Sequence, residues 1–190
     1  MAIVLGRPPA DDVAEVLVDE ATLAAKVREL GAKLTADYQG RDVVLVSVLK
    51  GALPFLADLM RAMPIHVALD FLEVSSYGSS TETSGVVRIL KDLAKPIEGR
   101  HVLVVEDILD TGHTLSYVMT HLRGMNPASL RLCALLDKPA RRQVQIEVDY
   151  RGFVIPDKFV VGYGLDFAER YRNLPFIGVL KPEVYAQDAG

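Results

Sequence analysis

Two apolar runs without alternation constrain this chain more than anything else in it. Val43-Val44-Leu45-Val46-Ser47-Val48-Leu49 is one, and His101 to Val105 is the other. A strand with one face in water alternates polar and apolar residues. A strand that does not alternate is covered on both faces, as in a parallel sheet with helices above and below it. The covering helices are legible too. Asp19 stands as the N-cap of a helix running to about Tyr38, with Leu23, Val27, Leu30, Leu34 and Tyr38 as its apolar stripe. Ala52 to Met63 reads as a second helix with Pro54 in its first turn. A third runs from about Thr114 to Arg123. Ile65 to Val74, Val86 to Lys91, Leu130 to Leu136 and Lys158 to Tyr163 read as further strands, and the polar stretch Ser75 to Ser84 as a long loop. The β-α-β alternation predicts an α/β domain with a largely parallel sheet, which binds ligands at the C-terminal ends of its strands.

The 190 residues make one domain, half of them hydrophobic and 24% charged, enough for a core without staples. Lys plus Arg is 21 and Asp plus Glu is 25, a net charge of −4. That balance argues against a partner bound by phosphate neutralisation, so no nucleic acid is expected. Cys133 is the sole cysteine. It lies in an apolar run and reads as a small buried hydrophobe, with no intrachain disulfide possible. The apolar runs fall far short of the ~20 residues that cross a bilayer, and the N-terminus lacks the pattern of a secretory signal. No membrane partner and a cytoplasmic location are expected. Gly6 to Asp12 and Ala186 to Gly190 read as loop or frayed ends.

The chemistry concentrates in Val104-Val105-Glu106-Asp107-Ile108-Leu109-Asp110-Thr111-Gly112-His113-Thr114, where a strand turns into a helix. Gly112 lets a backbone approach a ligand without a Cβ in the way. The N–H groups of the loop and first helical turn point outward unpaired, the helix dipole favours an anion there, and Thr111 and Thr114 add hydroxyls. This suits a small phosphate. The loop is too short for a Walker A sequence, and no G-x-G-x-x-G is present. Glu106 and Asp107 would repel that phosphate unless they serve something else, such as ribose hydroxyls or Mg²⁺. A plainer alternative has Asp110 capping the helix and both acids in solvent.

The run from Glu106 to Thr114 resembles the phosphoribosyl pyrophosphate (PRPP) signature of the purine phosphoribosyltransferases. The resemblance extends from about Leu17 to Leu180. Leu49-Lys50-Gly51, Ser75-Ser76-Tyr77-Gly78, Lys138, Asp157-Lys158-Phe159-Val160-Val161-Gly162-Tyr163, Asp166 and Arg172 follow in the order of the hypoxanthine-guanine branch. It implies the type I phosphoribosyltransferase fold: a mainly parallel sheet flanked by helices, with a core of about 38–138 and 158–165. A small hood would come from the N-terminal segment and about 139–190. It implies Mg²⁺-dependent transfer of 5-phosphoribosyl from PRPP to N9 of hypoxanthine or guanine, releasing pyrophosphate in purine salvage. Glu106, Asp107, Asp110, Thr111, Gly112, His113 and Thr114 would hold the ribose phosphate. Lys50, Gly51 and Arg172 would meet the pyrophosphate, and the Leu49–Lys50 peptide can be cis in the family. Ser76 and Tyr77 would belong to a lid. Lys138, Phe159, Val160 and Asp166 would meet the purine, with Lys138 donating to O6 and so rejecting the amino group of adenine. Asp110 would serve purine N7 as general base. Glu106, Asp107 and Asp166 would carry Mg²⁺. Homodimers or homotetramers are implied as well.

Other classes compete. A regulator of the same fold that binds nucleic acid is opposed by the net charge and by the intact set of Asp110, Lys138 and Arg172. A phospho-acceptor receiver domain would need an acidic pair after the first strand, which is missing. A xanthine- or pyrimidine-specific transferase is the nearest enzymatic rival.

Overall fold

Both apolar runs lie at the centre of a six-stranded sheet. The computed structural model describes residues 8–76 and 87–185. After a 3-10 turn at Pro9–Asp12, the elements in chain order are β1 (Val13–Val18), α1 (Glu20–Tyr38), β2 (Val43–Val48), α2 (Leu53–Arg61), β3 (Val67–Ser76), β4 (Val87–Lys91), β5 (His101–Leu109), α3 (His113–Arg123), β6 (Ser129–Asp137), β7 (Tyr150–Val154), β8 (Val160–Val161), β9 (Ile177–Leu180) and α4 (Pro182–Tyr185). The main sheet has the order β4-β3-β2-β5-β6-β7, and β1, β9 and β8 form a second, three-stranded sheet. Strands β3, β2, β5, β6 and β7 run parallel, and only β4 opposes its neighbour.

Alternate residues of β2 and β5 enter two separate cores. Val43, Leu45, Leu103 and Val105 pack with Leu23, Val27, Leu30, Leu34 and Tyr38 of α1 and with Phe55, Leu56 and Leu59 of α2. Val44, Val46, Val102 and Val104 pack on the other face with Leu115, Val118 and Leu122 of α3. With helices on both faces, neither strand has a reason to alternate. Asp19 caps α1, its carboxylate accepting from Thr22 N at 2.8 Å, and that bond holds its pKa below the ordinary value. Cys133 is buried in the first core, and the desolvation pushes its thiol up to about 12.

Several expectations shift. β3 continues through Ser75 and Ser76, and β5 continues to Leu109, so Glu106 and Asp107 are strand residues. Of Lys158 to Tyr163 only Val160–Val161 is strand, and it pairs antiparallel with β9 in the small sheet. Residues 150–154, expected in the hood, extend the main sheet as β7 beside β6. Val13 to Val18 carries no helical or alternating pattern. It becomes β1 by pairing with β9 across most of the chain's length. The C-terminal ends of β2, β5 and β6 share one edge, with Ser47 beside Val105 and Leu109 beside Asp137. Lys50, the Asp110 loop and Lys138 leave from that edge.

Candidate active site

The turn from β5 to α3 is built to leave helix N–H groups open. Gly112 stands at the N-cap with φ 91°, and no side chain caps the helix. Asp110 is therefore not the helix cap. The first-turn N–H groups lack intrahelical partners and face a cavity of about 200 Å³ lined by Glu106, Asp110, Thr111, Gly112 and Thr114 among others. A Cβ at residue 112 would lie 2.8 Å from Val144 O, so the loop has a wall behind it. Thr111 O accepts from Gln143 N and Val144 N, both at 3.0 Å. Arg142 donates to Asp110 O at 2.9 Å and to Leu109 O at 3.1 Å, and its other contact is the buried carboxylate of Asp137. Arg151 pairs with the same carboxylate at 2.8 Å. The sequence reading missed Arg142. Its signal was a basic pair, Arg141-Arg142, following a buried strand that ends in an acid. His113 turns its ring to Gln143 Oε1 at 2.8 Å, leaving its backbone for the loop.

Glu106 and Asp107 are adjacent, and both are withdrawn from solvent. Asp107 is buried, its Oδ1 accepting from Ile108 N at 2.7 Å. Glu106 is half-buried, and its Oε2 is covered without a hydrogen-bond partner. Burial, and then the Asp107 charge, hold the Glu106 carboxyl well above the ordinary range; burial also raises Asp107. In its ionised form the pair offers oxygens to a cation or to hydroxyl donors, which would offset the cost of burial. Among the described residues no group of three or more His, Cys, Asp or Glu is placed to hold a metal. Two hard oxygen donors suit a Mg²⁺ that arrives with a diphosphate and brings most of its own ligands.

Lys50 and Gly51 follow β2, and the Leu49–Lys50 peptide is cis. Lys50 Nζ lies 3.0 Å from Glu169 Oε2. Arg172 donates to Gly164 O at 2.8 Å and pairs with Asp166 Oδ1 at 2.9 Å and Glu169 Oε1 at 3.1 Å, while its covered Nε has no partner. Asp166 Oδ2 accepts from Glu169 N at 2.9 Å, so this carboxylate is engaged on the Arg172 side. Attraction to Lys50, through their hydrogen bond first, lowers the Glu169 pKa. Gly164, with φ 100°, brings the loop so close that a Cβ there would lie 1.8 Å from Gly51 O.

On the third side, Lys138 is 6% exposed at the end of β6. Its N–H donates to Leu109 O at 3.0 Å and its Nζ to Lys158 O at 2.9 Å, with Asp157 at 3.8 Å. Phe159 is half-exposed and meets Phe167 edge-on with ring centroids 5.7 Å apart. Val160 is buried and pairs with Val179. The Oδ1 of Asp110 is covered, has no hydrogen bond, and lies 3.3 Å from Arg141 Nε. Ser76 is the last residue of β3; its expected lid partner Tyr77 lies outside the described residues. Lys50, Gly51, the Glu106–Thr114 stretch, Lys138, Phe159, Val160, Asp166 and Arg172 thus surround the ends of three strands. No helix of the described residues is long and apolar enough to cross a membrane.

The chain is similar to known proteins in both sequence and fold. Residues 14–168 match the phosphoribosyl transferase domain family. The chain is 53% identical to the hypoxanthine-guanine phosphoribosyltransferase of Bacillus subtilis (strain 168) over 174 residues, 92% of this chain and 97% of that protein. It is 54% identical over 177 residues to the bifunctional protein TilS/HprT of Listeria monocytogenes serotype 4b, spanning 27% of that longer protein. A hypoxanthine phosphoribosyltransferase structure from Staphylococcus aureus superposes with a TM-score of 0.91 at 49% identity, covering 96% of this chain and 99% of that one. This chain belongs to the phosphoribosyltransferase family, in its hypoxanthine-guanine branch.

Proposed function

We propose that this protein transfers the 5-phosphoribosyl group of PRPP to N9 of hypoxanthine, and of guanine, releasing pyrophosphate with IMP or GMP as product. The observation that carries it is the convergence of three loops. Asp107 packs against Gly51, Gly51 against Gly164, and Lys138 N binds Leu109 O, so an anion loop, two diphosphate cations and a buried donor lysine share one edge. The 5′-phosphate takes the N–H groups at the start of α3, with Thr111 and Thr114. Glu106 and Asp107 face the ribose hydroxyls. Glu106, Asp107 and Asp166 would hold the Mg²⁺ that accompanies PRPP, which would offset the charge of the leaving diphosphate. Lys50 and Arg172 take the diphosphate oxygens as point charge and fork. Lys138 donates to O6, and Phe159 covers the ring face.

In the reaction the bond from C1′ to the diphosphate oxygen breaks as the bond from C1′ to N9 forms. The proton on purine N7 passes to Asp110, whose Oδ1 accepts no hydrogen bond within the protein and is paired with Arg141 at 3.3 Å. The same carboxylate stabilises positive charge developing on the ribose. The active unit is a homodimer or homotetramer in the cytoplasm, a state that light scattering checks.

The experiment is pyrophosphate release from PRPP and Mg²⁺ with hypoxanthine, guanine, xanthine, adenine and uracil in parallel. Release with hypoxanthine and guanine is expected, and none with adenine or uracil. Release with xanthine alone would replace the substrate assignment, and release with no base would remove the reaction.

A further inference from the structure

The two side chains assigned to the diphosphate leave loops far apart in the chain and meet on one carboxylate. Glu169 Oε2 lies 3.0 Å from Lys50 Nζ, and Glu169 Oε1 lies 3.1 Å from Arg172 Nη2. One oxygen to each cation is the bridge that a diphosphate would make. We propose that Glu169 is a built-in competitor for the diphosphate: its carboxylate occupies Lys50 and Arg172 in the empty enzyme and is displaced when PRPP or pyrophosphate binds. This rests on the reading of Lys50 and Arg172 given above.

The backbone supplies an independent observation. Phe167 and Arg170 exchange N–H···O bonds of 3.2 and 3.0 Å around a two-residue turn. Both central residues have positive φ, 50° at Ala168 and 61° at Glu169. Turns of this kind are ordinarily made by Asn-Gly or Gly-Gly, because side chains resist positive φ. An Ala-Glu pair is strained at both positions and persists only where its surroundings over-determine it. They do so here: Asp166 Oδ2 binds Glu169 N, and Phe167 packs on Phe159. The strained turn aims the Glu169 side chain at the two cations.

The sign of the effect follows from what remains when the carboxylate is removed. Arg172 keeps Asp166 at 2.9 Å and Gly164 O at 2.8 Å, so its position survives. The side chains of Lys50 and Glu169 are 64% and 67% exposed, so each moves into water cheaply. Losing the competitor therefore outweighs losing the preorganisation it gives, and the diphosphate binds more tightly.

Glu169→Gln in the full chain tests this, with magnesium pyrophosphate as the titrant in calorimetry. The expected result is a Kd about 3–10-fold lower than wild type, the range of two exposed ion pairs. The KM for PRPP should fall in parallel, while the hypoxanthine KM stays within about twofold, because the Lys138 side is untouched. In about 1 M salt, where screening is short, the difference should close. Glu169→Asp, charged but shorter, should fall between the two. A Kd that is unchanged or higher in Glu169→Gln overturns the proposal. Lys50→Ala and Arg172→Ala separate the layers. If both weaken pyrophosphate but Glu169→Gln does not tighten it, only the competitor role fails. If neither weakens it, the diphosphate assignment fails and the competitor role with it.

Discussion

Asp107 Oδ2 stands 1.9 Å from the point where a Cβ on Gly51 would begin. The Asp107 carboxylate and the Gly51 backbone are thus one packed unit, though far apart in sequence. Gly51→Ala must push a buried, hydrogen-bonded carboxylate aside. It is expected to cost about 1–3 kcal/mol of stability and to raise the KM for PRPP. Urea denaturation and steady-state kinetics check both; a stability equal to wild type would show that Asp107 yields freely.

Asp110→Asn keeps the loop, because the side chain does not cap α3 and the loop is held through Asp110 O by Arg142. Turnover is expected to fall by ~10²–10⁴-fold, the usual worth of a positioned general base. The Kd for PRPP should move far less. If PRPP affinity collapses while turnover survives, the base assignment is wrong.

Lys138→Ala removes a donor from O6 and is expected to lose ~1–3 kcal/mol of hypoxanthine affinity. It also breaks the bond from Nζ to Lys158 O, which ties the end of β6 to the strand carrying Val160. Equilibrium binding of hypoxanthine and of adenine separates the two effects. Loss for hypoxanthine alone supports recognition, whereas unchanged hypoxanthine affinity excludes it.

Acidity offers a direct probe of the carboxylate pair. Glu106 and Asp107 have raised pKa values in the folded chain, so the fold holds protons there that the unfolded chain has released. Stability of the ligand-free enzyme should therefore decline as pH rises above the ordinary carboxylate range, by at most about 1.4 kcal/mol per pH unit for one proton. Glu106→Gln should flatten that decline. Binding of magnesium PRPP is expected to draw the pair toward its ionised form, so protons should be released on binding. Calorimetry in buffers of different ionisation enthalpy reads the release directly, and uptake instead of release would reverse the picture.

Arg142→Ala should destabilise by about 3–5 kcal/mol, as breaking a buried ion pair does, moderated by the second cation, Arg151, on Asp137. Arg142→Lys should not rescue the KM for PRPP. A single ammonium cannot serve Leu109 O, Asp110 O and the Asp137 carboxylate together as a guanidinium does. Thermal melting and PRPP kinetics on both variants provide the check.

Local patterns carried much of the fold. The α1 stripe is buried at all five expected positions, because a helix of that length has one face to cover. β2 and the start of β5 lie where their unbroken apolar runs put them. The small sheet was not legible. β1 and β8 are short, and each becomes strand only by pairing with β9, whose sequence lies far away. Within the site, residues carried by the motif were readable, whereas Arg142 and Glu169 were not. Each acts in part through partners more than 30 residues distant: Leu109 O for Arg142, Lys50 for Glu169.

From the sequence alone came the α/β class and the strand-to-helix turn at Gly112, since these depend on periodicity and on contiguous residues. Tertiary structure alone decided which groups hold one another in the empty enzyme. Asp107 wedges against Gly51, Arg142 braces the loop from behind, and Glu169 pairs with both Lys50 and Arg172. Charge and shape at those points come from segments that meet only when the chain closes, and electrostatic pairing at a few ångströms leaves no trace in local spacing.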